Sequence, residues 1–226
     1  MFSIFRDADQ LENVEEQLHG MLASCEDAYR LATTAAFGEA DVVDAGDQLK
    51  SLDKEINKTE RAIRRELLVH GTVRGADVDQ GLMLTYMSLA KDIERIGDKC
   101  KDIWELAEMG ADLSTSENVD ELERHRSHVA GLISETLAAF TSQDTERVHE
   151  LIPTIREDRD HYDKHVTDLV MSTLPSRDAS PQALFYRYIK RLSAHLSNIL
   201  SSIVMPIDRL DFYNPDKAIE DAESSD

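Results

Sequence analysis

Apolar residues recur at steps of three and four from Asp9 to about Ala36, where Leu11, Val14, Leu18, Met21, Leu22, Cys25 and Tyr29 place one apolar stripe along a helix. Gly38 interrupts the pattern. A second segment from about Asp41 to His70 carries Leu49, Leu52, Ile56, Thr59, Ile63 and Leu67 in near-heptad alternation, with Gly71 read as its stop. A third, from about Val78 to Met109, has Leu82, Tyr86, Leu89, Ile93, Ile96, Cys100 and Ile103 as its seam and ends at Gly110. Three antiparallel helices predict one bundle over residues 1–110.

Residues 111–118, with Ser114, Thr115 and Ser116, read as a linker that also offers N-cap residues. The pattern then repeats over 119–205. Helices are expected at about Val119–Thr141, Asp144–Thr173 and Pro181–Val204, with Pro153 kinking or restarting the middle one. The stretch Glu94–Ile103 can be laid over Lys190–Ile199, so the halves look like an internal duplication. The fold class is therefore all-α, two tandem three-helix up-down bundles. Residues 206–226 hold seven acidic residues against Arg209 and Lys217 and read as an acidic, largely disordered tail, above all Glu220–Asp226.

Composition narrows the picture further. Nine Gly and five Pro are few for 226 residues and favour long helices over a sandwich or barrel. A formal charge of −20 repels a nucleic-acid backbone and points to proteins or cations as partners. No run approaches the length of a membrane span, and Met1–Asp7 lacks a basic region followed by an apolar one, so a cytoplasmic protein is expected. Cys25 and Cys100 fall at apolar-stripe positions with no C-x-x-C pair, which predicts reduced core cysteines.

Candidate chemistry lies in the third segment, where Glu94, Asp98 and Asp102 stand one helical turn apart in an acidic ridge. Like charges at that spacing cost roughly 0.2–0.5 kcal/mol per pair, so something positive should sit there. On the second segment Asp53, Asn57 and Glu60 project from one flank. Side by side, the two flanks would present five carboxylates and one amide, hard oxygen ligands for Mg, Mn, Ca or, by carboxylate bridging, iron. A solvated acidic face is the plainer account of the same residues. The ridge lies away from the seam, so any site is expected on the outer surface of the bundle.

The run Ile93-Glu94-Arg95-Ile96-Gly97-Asp98, together with Asp53-x-x-Ile56-Asn57, resembles the PhoU family of phosphate-signalling regulators over residues 8–205. That resemblance implies two tandem three-helix bundles and a cytoplasmic, non-enzymatic regulator that represses the phosphate-starvation response. The partners it implies are a phosphate ABC transporter and a sensor histidine kinase, which would hold the protein at the membrane only through other proteins. A homodimer stays open. It also implies cations such as Fe, Mn, Mg or Zn at the first bundle, with Asp53, Asn57, Glu94 and Asp98 as ligands and Asp102 and Glu60 as weaker candidates. The second half departs from the motif: Lys190 and Ala194 replace its Glu and Asp, and Arg159 aligns with Asp53, so metal is expected in the first bundle only.

Two other readings stay open, an accessory protein of a low-affinity phosphate permease and a ferritin-like di-iron enzyme. The second rests on Glu16-x-x-His19 and Glu146-x-x-His149, which imitate a di-iron E-x-x-H pair. Glu16, however, points nearly opposite the stripe. His195 is expected to be a surface or hydrogen-bonded histidine. Phe185, Tyr186, Arg187, Tyr188, Lys190 and Arg191 form a basic-aromatic cluster, suited to an acidic partner, to a negative membrane surface or to internal pairing with Asp158 and Asp160. No phosphate loop or nucleophile motif occurs, so no enzymatic activity is expected.

Overall fold

The computed structural model describes residues 11–74 and 79–210. The fold is all-α, and the described residues form six long helices: α1 Glu12–Ala36, α2 Val42–Arg74, α3 Gln80–Glu108, α4 Val119–Ser142, α5 Thr145–Val170 and α6 Ser176–Val204. The predicted helix starts at Asp9 and Val78 and the disordered tail at Glu220–Asp226 lie outside the described residues.

Local chemistry sets several of the boundaries. Asp41 accepts from the amides of Val43 and Asp44, Asp79 from Leu82 and Asp144 from Arg147, each at 2.9–3.0 Å, so carboxylates satisfy amides that the first turn leaves without partners. After α3, Gly110 takes φ +88°, a left-handed conformation that ends the helix without Cβ strain.

Three expectations change. Gly71 lies inside α2, which runs on to Arg74; an interior glycine costs about 1 kcal/mol but leaves the backbone ladder intact. α5 continues through Pro153 as one helix. α6 begins at Ser176, five residues before Pro181, because Pro175 supplies an extended lead-in and the amides of Asp178 and Ala179 bond back to its carbonyl. Gln182 also donates to the Asp178 carbonyl at 2.9 Å.

All seven seam residues expected on α1 and all seven on α3 are buried. Cys25 and Cys100 are buried free thiols, with the Cys25 thiol donating to the Ile93 carbonyl at 3.3 Å. The segment read as a linker is itself anchored: Asp112 caps a short 3-10 turn, Leu113–Thr115, whose Leu113 is buried. Its serines do not cap α4, which starts at Asn118 without a side-chain cap.

The two halves share one continuous apolar core, joined where α1 meets α4 and α3 meets α6. Polar contacts fix that junction. Arg126 on α4 grips Glu39 with two 2.7 Å bonds while its guanidinium lies 4.9 Å from the Phe37 ring. Buried Asp92 on α3 meets His195 Nδ1 at 2.7 Å and accepts from Asn198 at 3.2 Å, both on α6. His195 is thus the hydrogen-bonded residue expected.

Candidate functional site

Two glycines let α2 and α3 close on each other. A Cβ on Gly46 would lie 2.3 Å from the Trp104 ring, and one on Gly97 would lie 3.2 Å from Ile56 Cδ1. Gly97 stands between Glu94 and Asp98, so the close approach occurs where the acidic residues sit. Across this groove the Asp98 carboxyl is pushed above its usual range, by burial first and then by the negative charges of Glu94 and Asp53, with Lys99 and Lys91 opposing. Asp98 is therefore within electrostatic reach of both Glu94 and Asp53. Asn57 turns its amide NH2 toward the Asp53 carbonyl at 2.9 Å and the Asp53 carboxylate at 3.1 Å.

The positive charge that the ridge needs comes partly from its own helix. Lys91 contacts Glu94 at 2.5 Å, three residues away, and Lys99 pairs with Asp102 in the same way. Glu60, almost fully buried, pairs with Arg64 at 2.7 Å. Among the described residues, Asp53 and Asp98 make no ion pair. The six sequence candidates thus separate: Glu94 and Asp53 act electrostatically on Asp98 and Asn57 bonds to Asp53, while Asp102 and Glu60 are tied to basic neighbours. The groove is less exposed than an outer surface site, since the Glu94 side chain keeps only 11% of its exposure. Its donor set, three carboxylates beside an amide, suits one hard divalent cation. Three carboxylates, one already paired to lysine, are few for a multinuclear cluster.

At the corresponding place in the second half the charge is reversed. Arg95, Lys99, Arg159, Arg187, Lys190 and Arg191 line an open cleft of about 540 Å³ between α3, α5 and α6, and Asp98 and His195 line it too. Lys190 is paired with Asp163, and Arg187 stands 3.9 Å from the same carboxylate. The internal pairing expected for this cluster therefore uses Asp163, whereas Asp158 meets His128 at 2.7 Å. Phe185 and Tyr186 are buried in the core. The E-x-x-H pairs do not gather in the interior: Glu16, Glu146 and His149 are exposed, and His19 packs edge-on to Phe140 at 5.0 Å.

Sequence reasoning missed a second cluster. Glu121 and His125 on α4 face His161 and His165 on α5, with one potential ligand atom from each within 4.8 Å of the others. His161 and His165 approach at 2.9 Å between ring nitrogens, and His165 lies 3.8 Å from the Glu121 carboxylate. Burial first, then the neighbouring imidazoles His165 and His161, hold His125 down to about 4. Burial likewise lowers His165. Each pair has the i, i+4 spacing that aligns side chains on one helix face. That spacing was the available signal.

A family model for the PhoU domain matches residues 18–107. The phosphate-specific transport system accessory protein PhoU homolog of Synechocystis sp. is 26% identical over 199 residues, 85% of this chain and 87% of that protein. The crystal structure of PhoU from Pseudomonas aeruginosa is similar with a TM-score of 0.74 at 23% identity, covering 87% of this chain and 96% of that one. That last likeness concerns the fold. It spans both halves.

Proposed function

We propose that the protein, whose residues 18–107 match the PhoU domain, is an accessory regulator of phosphate uptake, acting by docking to transport and signalling proteins. The observation that carries this reading is the extent of the match to the Synechocystis accessory protein, which runs through both halves of each chain. Its partners are components of a phosphate ABC transporter and a sensor histidine kinase.

The α2/α3 groove is the effector face. Asp53, Glu94 and Asp98 would hold a divalent cation there, with Asn57 beside them, and a cation supplies charge neutralisation. The chain's own residues do the rest: Gly97 and Gly46 hold the helices close, and Lys91 leaves Glu94 only partly compensated. Relief of the remaining repulsion at Asp98 stiffens the face that meets a partner. No described helix is long and apolar enough to cross a membrane, so contact with a transporter runs through the protein surface.

Deletion of the gene in the encoding organism, with phosphate abundant, is expected to raise alkaline phosphatase activity, and the intact gene is expected to lower it again. Unchanged activity in the deletion strain would overturn the regulator reading.

A further inference from the structure

The side of the second half opposite the basic cleft is built as a polar ladder. Glu135 pairs with Arg147, His128 with Asp158, and the ladder ends where Glu121 and His125 face His161 and His165. α5 packs chiefly on α6 and meets α4 sparsely, and these polar pairs cross between α4 and α5. An imidazole-rich group at the end of such a ladder serves poorly as simple glue, because two adjacent imidazoles share one hydrogen bond and leave other nitrogens to find partners.

We propose that Glu121, His125, His161 and His165 form a site for a divalent transition metal of the zinc class, clasping α4 to α5. Three imidazoles and one carboxylate are a borderline-soft donor set, distinct in chemistry from the all-oxygen groove of the first half. The dimensions suit it. Ligand atoms around tetrahedral zinc stand about 3.3 Å apart, given bond lengths near 2.0–2.2 Å. The 2.9 and 3.8 Å separations bracket that value, and all four atoms lie within 4.8 Å. His161 is exposed, which gives a metal a way in and leaves one ring free to adjust.

The surroundings hold the other rings in place. His165 stacks on Tyr186 at 4.4 Å with planes 7° apart, and His125 meets Tyr162 and Tyr186 edge-on at 5.3 and 5.5 Å. Both tyrosines are fully buried, yet their hydroxyls have no hydrogen-bond partner among the described residues. Unsatisfied buried hydroxyls beside a histidine group are a second, independent sign of a place where polar matter belongs. None of these residues lies in the α2/α3 groove, so this site stands apart from the proposed regulatory function.

The test uses full-length protein stripped with a chelator and titrated with Co2+, then with Zn2+. One equivalent of bound Co2+ is expected to give the intense visible absorption of a four- or five-coordinate site, displaced by Zn2+, whereas Co2+ on the all-oxygen groove of the first half would absorb only weakly. Zinc in hundredfold excess over its dissociation constant should raise the thermal midpoint by about 5–10 °C. His161→Ala with His165→Gln should abolish the visible absorption and lower the zinc-dependent thermal shift, while Asp53→Asn with Asp98→Asn leaves the visible absorption in place. The single variant His161→Ala, at an exposed position, should weaken Co2+ binding at least about tenfold with unchanged far-ultraviolet circular dichroism, so a misfolded double variant does not stall the test. Absence of Co2+ absorption in the intact protein, or the same spectrum and stoichiometry in the histidine variants, would overturn the site.

Discussion

The two halves of this chain repeat one helical plan and treat its charged flanks in opposite ways. In the first half, α2 and α3 close tightly over Gly46 and Gly97, and the charges of Glu94 and Asp53 bear on the Asp98 carboxyl. In the second, the aligned positions are Arg159 and Lys190, which open a basic cleft, and histidines move to the other seam, between α4 and α5. Both halves keep buried apolar stripes because the shared core depends on them. The flanks differ, and an acidic face and a basic cleft stand side by side at Asp98.

The largest test of this contrast is Gly46→Ala. The new methyl would overlap the Trp104 ring, whose indole nitrogen is fixed by a 2.8 Å bond to the Val42 carbonyl, so a loss of about 2–3 kcal/mol is expected in denaturant unfolding. A neutral result would mean that α2 and α3 are not held that close. Next in size is Asp92→Ala, which removes the buried carboxylate shared by His195 and Asn198 and should cost about 1–3 kcal/mol. Full additivity with His195→Ala in a double-mutant cycle would count against a coupled contact between the halves.

Gly131→Ala should act in the opposite direction. It lies in the middle of α4 where an added Cβ meets nothing within 4 Å, so a gain of about 0.5–1 kcal/mol is expected. A destabilised variant would contradict the open packing assigned to α4.

The smallest effect is one of pH. His19, edge-on to Phe140 at the α1/α4 contact, is held below its usual range by burial, against the opposing charges of Glu15 and Glu16. The unfolded chain therefore binds this proton more readily than the folded one, and stability falls as pH drops below about 6.5 toward the lower folded value. His19→Gln removes that share, so its thermal midpoint should drop less than the wild type's between pH 7 and pH 5. An equal drop would show that His19 does not contribute.

Much of this architecture was legible in the residues because a stripe repeated at threes and fours is a one-dimensional signal. The stripes of α1 and α3, the stop at Gly110 and the helix start near Asp144 all depend on residues close in sequence. What escaped depends on two helices at once. The approach at Gly46 requires knowing that Trp104 lies opposite it. The histidine group requires that α4 and α5 run antiparallel in one register, while the more conspicuous Glu16 and His19 and Glu146 and His149 pairs never converge. Gly71 and Pro181 misled in a different way: each has a local cost, and the rest of its helix tolerates it. The acidic ridge was visible, but its lysine partners were not weighed, although Lys91 and Lys99 stand three residues from Glu94 and Asp102.

The central claim is that the α2/α3 groove carries the phosphate signal. Its most direct test is alkaline phosphatase activity, with phosphate abundant, in a deletion strain complemented with either the intact gene or the Glu94→Ala, Asp98→Ala variant at equal protein level. Repression by the intact gene and derepression with the folded double variant is the predicted result. Full repression by the double variant would contradict it and reduce the groove to a solvated acidic face.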